Sequence, residues 1–307
     1  MIKSKYGALA LFLFCAMSCS AQTREGIHRE FDQNGRLISE STYVNGKLNG
    51  PKKEYYLDGT LKSFGVYRNE QIDGWFEKYY ENGNLKGRYA YKKGKQHGAS
   101  YEYYASGQLE REAHFYKGKS NGPIRSYYEN GNPKGEAFTS DDKLEGIIKE
   151  YYENGEIKSE TKVLNGMLDG PTKEYYENGN LRREADFEND KAEGLIKTYY
   201  ESGHLSGEAQ SHDNQLDGLV KEYFETGQVK AISTFKAGKR EGPFKEFFDD
   251  GQVKKEAFFK EDKVLGLSRV YYENGSIKLE DHYKDGEIDH RKVYDTQEHL
   301  MTQRKFE

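Results

Sequence analysis

Pairs of tyrosine are the most frequent side chains in this sequence that have the shape to bind a ligand. The segment Tyr-Tyr-Glu-Asn-Gly occurs intact at residues 79–83, 127–131, 151–155, 175–179 and 271–275. Exposed aromatic rings offer flat apolar surfaces, and a series of them could stack on the sugar rings of a glycan. Because the pairs recur along almost the whole chain, we favour a structural role in which the rings fill the faces of a sheet.

Ionisable side chains are abundant, but their spacing is not typical of an active site. The chain has 52 acidic residues and 8 histidines, so some carboxylates will lie close together by chance. Acidic pairs such as Asp141-Asp142 occupy turn-like segments, where acidic residues are common. The histidines are scattered and lack the spacing of metal ligands. Rows of Lys and Glu could form a ligand-binding stripe, although a solvated face is the simpler interpretation. We therefore expect no catalytic residue, no metal site and no cofactor.

Glycines recur every 24 residues and divide the chain into about eleven units. One series runs from Gly35 to Gly275 and a second series runs from Gly26 to Gly266, both without a slip. We number each unit from its second-series glycine. The paired aromatics then fall at positions 6 and 7, and the first-series glycine falls at position 10. A fixed period of this length indicates a repeat architecture.

Each unit has the signals of a β-hairpin. Asn-Gly at positions 9 and 10 predicts a two-residue type I′ turn. A second turn is expected around position 21, which carries Gly, Asp or Asn in most units and Glu70 in one; the first three of these tolerate a positive φ. With no helical stretch between the turns, the predicted fold is all-β. It is an elongated single antiparallel meander sheet of 24-residue hairpin repeats.

The charges predict how the two strands of a hairpin pair. A two-residue turn at positions 9 and 10 would place position 4 opposite 15, 6 opposite 13 and 7 opposite 12. Position 4 is usually basic and position 15 is usually Glu, and in one unit both change sign together, as Glu77 and Arg88. Opposite charges stabilise a cross-strand pair and like charges destabilise it. The joint change therefore supports this register.

The same register predicts two different faces, because side chains alternate along a strand. One face would carry positions 3, 7, 12, 16, 18 and 23. The other would carry the ion pairs of positions 4 and 15, with Tyr at position 6 beside Lys or Arg at position 13. The first face is rich in apolar residues and must be covered by curvature, a second copy or a partner. Its candidate partner-binding groove consists of Tyr67, Leu85, Tyr91, Leu109, Phe115, Leu181, Phe187 and Leu205.

Residues 1–21 have the layout of a signal peptide. Lys3 and Lys5 precede an apolar run and then small residues, and the run is too short to span a membrane. Cys19 permits two interpretations, lipidation of Cys19 itself or ordinary cleavage before Gln22. Both predict export to the periplasm, the outer membrane surface or the medium. Any membrane association would then depend on a lipid anchor at Cys19.

The rest of the chain is polar and acidic. The net charge of the full sequence is −5 and its mean hydropathy is −1.03, and no basic cluster occurs, so nucleic-acid binding is not expected. Residues 22–300 contain the repeats and a degenerate capping unit, in which His290 replaces the expected glycine and Glu298 replaces the turn glycine after one deletion. Residues 301–307 form a polar C-terminal tail.

The unit resembles a known repeat. Gly-x4-Tyr-Tyr-Glu-Asn-Gly-x-Leu-Lys, closed by a turn such as residues 94–98, is similar to the bacterial variant of the MORN repeat. The resemblance covers residue 26 to about residue 300. It implies a β-hairpin sheet and a role in binding proteins or membrane surfaces, and it supplies no catalytic residues. Proteins of this kind are often labelled as antitoxin components of toxin–antitoxin systems.

These observations predict a non-enzymatic, exported repeat protein that acts as an interaction scaffold. Its partner would be a protein of unknown identity, and self-association is one form of that prediction. Two alternatives remain open from the sequence. One is a module that binds glycans or the cell surface, and the other is an antitoxin-like inhibitor of a partner protein.

Overall fold

The computed structural model describes residues 23–306 as one continuous antiparallel sheet. Consecutive strands pair with each other, except that two short strands, Lys239–Arg240 and Lys263–Val264, pair only with the strand before them. The described residues contain no helix. The predicted all-β meander of hairpin repeats is therefore confirmed. Across residues 23–306 there is accordingly no helix that could span a membrane. The predicted signal peptide and Cys19 lie outside the described residues.

The strand bounds follow the 24-residue period. The N-terminal half comprises β1 (Gly26–Phe31), β2 (Leu37–Val44), β3 (Lys47–Tyr55), β4 (Leu61–Arg68), β5 (Gln71–Tyr79), β6 (Leu85–Lys92), β7 (Lys95–Tyr103), β8 (Leu109–Tyr116), β9 (Lys119–Tyr127), β10 (Pro133–Ser140), β11 (Lys143–Tyr151), β12 (Ile157–Leu164) and β13 (Met167–Tyr175). The C-terminal half comprises β14 (Leu181–Glu188), β15 (Lys191–Tyr199), β16 (Leu205–His212), β17 (Gln215–Tyr223), β18 (Val229–Lys236), β19 (Lys239–Arg240), β20 (Gly242–Phe247), β21 (Val253–Lys260), β22 (Lys263–Val264), β23 (Gly266–Tyr271), β24 (Ile277–Lys284), β25 (Glu287–Tyr294) and β26 (Leu300–Lys305).

The turn at positions 9 and 10 differs from the predicted one. The amide of Gly59 donates to the carbonyl of Tyr56 at 3.0 Å, and the amide of Tyr56 donates to the carbonyl of Thr60 at 2.8 Å. This is a three-residue loop, a type I turn followed by a glycine with positive φ. The predicted type I′ turn is therefore wrong at this site. It occurs instead at positions 20 and 21, where Asn45 and Gly46 have φ values of 51° and 77°.

The register is confirmed at positions 4 and 15 but not closer to the turn. Glu77 lies opposite Arg88, and Oε1 of Glu77 is 3.2 Å from Nε of Arg88. Beyond position 5 the register shifts by one residue, so that position 6 lies opposite position 12, as in Tyr79 opposite Leu85. The predicted pairs 6–13 and 7–12 are wrong. The longer loop leaves the residue at position 13 as a β-bulge.

A second bulge explains the glycine at position 1. Between the pairs Ser41–Lys52 and Tyr43–Leu48 the register shifts again, and Gly50 sits in the shifted segment with a φ of 137°. A Cβ atom on Gly50 would come within 2.9 Å of the Cβ of Thr42. Both the backbone conformation and the close approach therefore require glycine.

The bulge at position 13 redistributes the side chains between the faces, because one extra residue reverses the alternation. Lysine at position 13 lies over the tyrosine at position 7, with the Nζ of Lys86 5.2 Å from the ring centre of Tyr80. The predicted row of Tyr at 6 beside Lys at 13 is therefore wrong. We call the side with positions 3, 5, 7, 13, 14, 16, 18 and 23 the packed face. The side with positions 2, 4, 6, 12, 15 and 17 is the ion-pair face.

Burial is confined to the packed face. Large side chains at position 3 alternate with small ones at position 16 on the neighbouring strands, as in Phe76 beside Gly65. The small side chains are buried between the larger ones, which is how a single-layer sheet excludes water. Apart from glycines, the buried residues of the described chain all lie at positions 3, 14, 16, 18 and 23 of this pattern: Ser39, Ser41, Ser63, Ser100, Ala113, Thr139, Val163, Ala185, Ala192, Ser211, Ala231, Ala257, Phe259, Ser268 and Asp281.

The C-terminal hairpin closes the sheet differently. His290, which replaces the position 1 glycine, pairs directly with His282 and has no positive φ, because the deletion shortens the bulge. Asp281 is only 4% exposed and accepts two hydrogen bonds from Arg291, at 2.6 and 2.7 Å. A buried carboxylate requires such a partner. Glu298 has a φ of 60° and occupies the turn position of the missing glycine.

Candidate binding surfaces

Charged side chains on the ion-pair face form one row that crosses the sheet. Position 15 of each unit lies opposite position 4 of its own unit and opposite position 4 of the next unit. Acidic and basic residues therefore alternate from strand to strand. The row runs Arg29, Glu40, Lys53, Phe64, Glu77, Arg88, Tyr101, Glu112, Arg125, Glu136, Lys149, Glu160, Lys173, Glu184, Lys197, Glu208, Lys221, Ile232, Lys245, Glu256, Arg269, Glu280, Lys292 and Gln303. We call it the charge ladder.

The ladder holds neighbouring hairpins together as well as the two strands of one hairpin. Arg269 contacts Glu280 of its own hairpin at 3.0 Å and Glu256 of the preceding hairpin at 3.5 Å. Its side chain is about one third exposed. Each ion pair is therefore worth roughly 0.2–1 kcal/mol. The row stabilises the sheet because these small contributions recur on many strands.

Tyrosine at position 6 supports the same row. Its hydroxyl donates to the glutamate at position 15 of the preceding unit, as in Tyr199 to Glu184 at 2.8 Å and Tyr271 to Glu256 at 2.6 Å. Partial burial, together with the hydrogen bond to the carboxylate, raises the pKa of both tyrosines to about 12. These hydroxyl groups are therefore protonated and act as donors at neutral pH.

Tyrosine at position 7 links consecutive units across the packed face. Its hydroxyl donates to the backbone carbonyl of position 6 in the next unit, as in Tyr56 to Tyr79 at 2.7 Å. Phe224 and Phe248 stand at this position in two units and have no hydroxyl. The other donors of this series are Tyr80, Tyr104, Tyr128, Tyr152, Tyr176, Tyr200 and Tyr272. The bond gives the tyrosine pairs a structural role.

Asparagine at position 9 makes a similar link along the edge of the turns. Asn82 accepts the amide of Asn84 through Oδ1 and donates from Nδ2 to the carbonyl of Ala105 in the next unit, both at 3.0 Å. Asn130, Asn154 and others repeat the second bond. Asparagine is therefore present for a bond between repeats. Sequence reasoning had assigned it to a turn with positive φ and missed this contact.

The residues of the predicted groove do not share one face. The aromatic members occupy position 18 on the packed face, where Tyr91 contacts Phe76 edge to face at a ring distance of 6.3 Å. The leucine members occupy position 12 and face the opposite side, beside the tyrosine at position 6. All eight are half-buried. The packed-face set is Tyr67, Tyr91, Phe115 and Phe187, and the ion-pair-face set is Leu85, Leu109, Leu181 and Leu205.

A different apolar row is the more exposed one. It follows position 2 on the ion-pair face, where Ile147, Leu195 and Leu219 are 59%, 44% and 48% exposed. Phe258, at position 17, is 46% exposed on the same face. Sequence reasoning missed this row, although position 2 carries an aliphatic residue or proline in most units. Exposed apolar rows of this kind are typical of interaction surfaces.

Sites for metals are not evident in the described part of the chain. Within residues 23–306 no three His, Cys, Asp or Glu side chains converge as metal ligands would. The surface depressions are open, and two of them adjoin on the packed face around Ile148, Glu150 and Lys158. Lys158 and Glu150 form an ion pair there at 3.6 Å.

Comparison with solved structures finds similar chains of low sequence identity. A chain of the crystal structure of TcdB2-TccC3-Cdc42 is 15% identical over 86% of this chain and 16% of that chain, with a TM-score of 0.19. A chain of the Photorhabdus luminescens Tc holotoxin pore is 13% identical over 84% of this chain and 16% of its own length, with a TM-score of 0.18. This chain thus spans less than a fifth of the chains it matches. No curated protein matches it.

A family model gives a direct assignment. The model described as the MORN repeat variant matches residues 24–45, 73–93, 96–117, 120–141, 144–165, 168–189, 192–214, 216–237, 240–261 and 265–285. These segments cover most of the chain. Each contains one second-series glycine and the first-series turn glycine that follows it, as in residues 73–93 with Gly74 and Gly83. The chain belongs to the MORN repeat variant family.

Proposed function

We propose that this protein is an exported, non-enzymatic scaffold that binds another protein. The proposal rests on one observation: the recurring polar side chains bond to neighbouring repeats, whereas a row of apolar side chains is left exposed. The polar groups that recur from unit to unit hold the repeats together, as in the bond from Tyr56 to the backbone of Tyr79. The apolar row through Ile147, Leu195 and Leu219 is left exposed over many strands. A long sheet of this kind supplies a large surface for a partner.

The tyrosine geometry favours a protein partner over a glycan. A glycan platform uses aromatic rings together with free hydroxyl groups or other polar groups beside them. Here the hydroxyl groups of position 7 donate to backbone carbonyls and those of position 6 donate to carboxylates. Lysines such as Lys134 also lie over the rings, with its Nζ 5.6 Å from the ring centre of Tyr128.

Export is the second part of the proposal and rests on residues 1–21. The intact mass of the mature protein is expected to correspond to a start at Gln22 or to a lipidated Cys19. A mature chain that begins at Met1 and remains in the cytoplasm would overturn export. It would instead favour the antitoxin-like alternative, in which the partner is an intracellular protein.

The binding role is tested by capture from the envelope and secreted fractions of the source cells. Two variants probe the two faces, Tyr91→Lys with Phe115→Lys on the packed face and Ile147→Glu with Leu195→Glu on the ion-pair face. We expect one variant to lose a specific protein that the other retains, with the far-UV β signal unchanged in both. Retention on peptidoglycan or polysaccharide resin alone, without any protein, would overturn the scaffold proposal in favour of the glycan-binding alternative.

A further inference from the structure

The charge ladder has one place where its alternation fails. Phe64 and Tyr101 also interrupt the row, but the residues on either side of each still carry opposite charges. At Ile232 the flanking residues are Lys221 and Lys245, which have the same charge. A glutamate is therefore missing between two lysines, and its place is taken by an apolar side chain.

Each of the two lysines has a glutamate opposite it on one side only, Glu208 for Lys221 and Glu256 for Lys245. Neither Lys221 nor Lys245 has an ion pair within 4.0 Å among residues 23–306. These glutamates also accept tyrosine hydroxyl groups, Glu208 from Tyr223 at 2.9 Å and Glu256 from Tyr271, and Glu256 pairs with Arg269 as well. The two lysines, which lack a carboxylate on the side where they face each other, lie roughly 10 Å apart, given the usual strand spacing. A carboxylate above Ile232 would lie between them.

The surroundings of this gap are apolar. Position 6 of the next hairpin is Phe247, where most units have the tyrosine that binds the missing glutamate. Leu219 is 48% exposed two residues before Lys221, and Phe258 is 46% exposed opposite Pro243. The patch of Lys221, Ile232, Lys245 and these apolar side chains is continuous with the exposed row at position 2.

We propose that this patch binds a segment of a partner protein that carries an acidic side chain flanked by apolar ones. The carboxylate of the segment sits between Lys221 and Lys245 and completes the charge ladder. Its apolar neighbours cover Ile232, Phe247 and Leu219. This assignment rests on the proposed scaffold function and names the chemistry of the partner.

The charge of the molecule favours a protein segment over an anionic membrane. Attraction to a membrane surface takes a cluster of four to eight basic residues, whereas this patch has two. The chain as a whole has a net charge of −5, so a negatively charged bilayer would be repelled by the rest of the surface. A short acidic segment meets only the local field of the two lysines, within a Debye length of about 8 Å.

The test uses the full chain and an array of 12-residue peptides in which Leu, Phe, Glu, Gln and Lys are varied. The critical variant is Ile232→Glu, which places the chain's own carboxylate between the lysines and restores the common pattern of the repeat. Folding is therefore expected to be retained. The matched control is Phe64→Glu, which also places a glutamate at position 15 on the same face but beside one lysine only, Lys53. Vesicles of phosphatidylglycerol and phosphatidylcholine serve as a second probe.

We expect the unmodified chain to retain peptides with Glu between apolar residues, and Glu→Gln in those peptides to weaken binding at least tenfold. Ile232→Glu is expected to abolish their retention, and Phe64→Glu to leave it unchanged. Equal retention by Ile232→Glu, or selection of basic peptides, would overturn this site while leaving the scaffold proposal to its own capture experiment. Vesicle binding that Ile232→Glu removes would assign the patch to a membrane and overturn the protein-segment proposal.

Discussion

Two irregular regions of the sheet handle their departures from the repeat in opposite ways. In the hairpin of β5 and β6, Phe64 takes the place of a glutamate before it and Tyr101 takes the place of a cation after it. Between them Glu77 and Arg88 exchange signs, so the alternation of charge continues through the whole region. Around β18, Ile232 replaces a glutamate and no exchange follows, which leaves Lys221 and Lys245 on either side.

The packed face shows the same contrast. In the β5–β6 region Tyr89 occupies the usually small position and lies between the large Phe76 of its own hairpin and the small Ser100 of the next. Around β18 the usual order holds, with Val220 between Ala209 and Ser233. Folding therefore explains the exchange of sign at Glu77 and Arg88 and the pairing of Tyr89 with Ser100, which are matched across strands. The unmatched lysines of the second region have no such explanation, which is the reason to assign them to binding.

The largest expected effect comes from disturbing the matched packing. Ser100→Ile would place a large side chain beside Tyr89, and overpacking of a buried site costs about 2 kcal/mol. Adding Tyr89→Ala restores the common order of large and small residues and is expected to recover most of the loss. Val220→Ile is the control, because both its neighbours are small. The free energy of unfolding in urea measures all three, and equal losses for Ser100→Ile and Val220→Ile would contradict the packing rule.

Reversing the two charges of one cross-strand pair keeps the attraction within the pair but changes its interactions with the charges on the neighbouring strands. The resulting change in stability therefore measures the contribution of the whole ladder. Glu77→Lys with Arg88→Glu keeps an opposite pair but places like charges on either side of Phe64 and Tyr101. It also removes Arg88 from the ring of Trp75, 4.3 Å away. We expect a loss of about 1 kcal/mol.

The same reversal in the regular region is the comparison for that experiment. Lys149→Glu with Glu160→Lys would set like charges directly opposite Glu136 and Lys173. We therefore expect a loss of about 2 kcal/mol, from two repulsive pairs and two lost attractive ones. Both double variants are measured by urea unfolding in low and in high salt. If neither reversal changes stability, the ladder contributes nothing beyond its individual pairs.

Filling the gap is expected to have a small stabilising effect. Ile232→Glu adds two cross-strand attractions, and Phe247→Tyr then adds the hydroxyl donor that other units have. We expect an increase of about 0.5 kcal/mol in the free energy of unfolding for the pair of substitutions. Thermal unfolding of the single and double variants measures it. A clear loss of stability would mean that Ile232 is present for packing, which would weaken the case for a binding site.

The smallest expected difference between the two regions is in how the free energy of unfolding falls at alkaline pH. Burial and the hydrogen bond to Glu77 raise the pKa of Tyr79 to about 12 from the ordinary value of 10. Because the folded-state pKa is raised, the stabilisation is present below pH 10 and is lost as the pH rises through 12. Tyr79→Phe is expected to reduce this alkaline loss, as measured by urea unfolding at pH 9 and pH 11. Phe247 occupies the same position near the gap and contributes no such change.

The residue types determined a large part of this structure. The glycine period fixed the unit, and the exchange of sign at Glu77 and Arg88 identified the pairing of positions 4 and 15. The turn at position 21 was also identified from its Gly, Asp and Asn residues, and Glu70, the exception among those types, has the same positive φ of 68°. These features follow from local chemistry. Few residue types adopt the positive φ of a turn, and a charged residue in a sheet is stabilised by an opposite charge across from it.

Only the tertiary structure decided how the side chains are shared between the two faces. Lysine at position 13 and leucine at position 12 are acceptable on either side of a sheet, so their types do not reveal the bulge between them. That bulge reverses the alternation and places Leu85 and Tyr91 on opposite faces. The bond from Asn82 to Ala105 was equally hidden, because it joins residues one repeat apart. Sequence alone determined the period and the pairing near each charge, while backbone irregularity and contacts between repeats determined the surfaces.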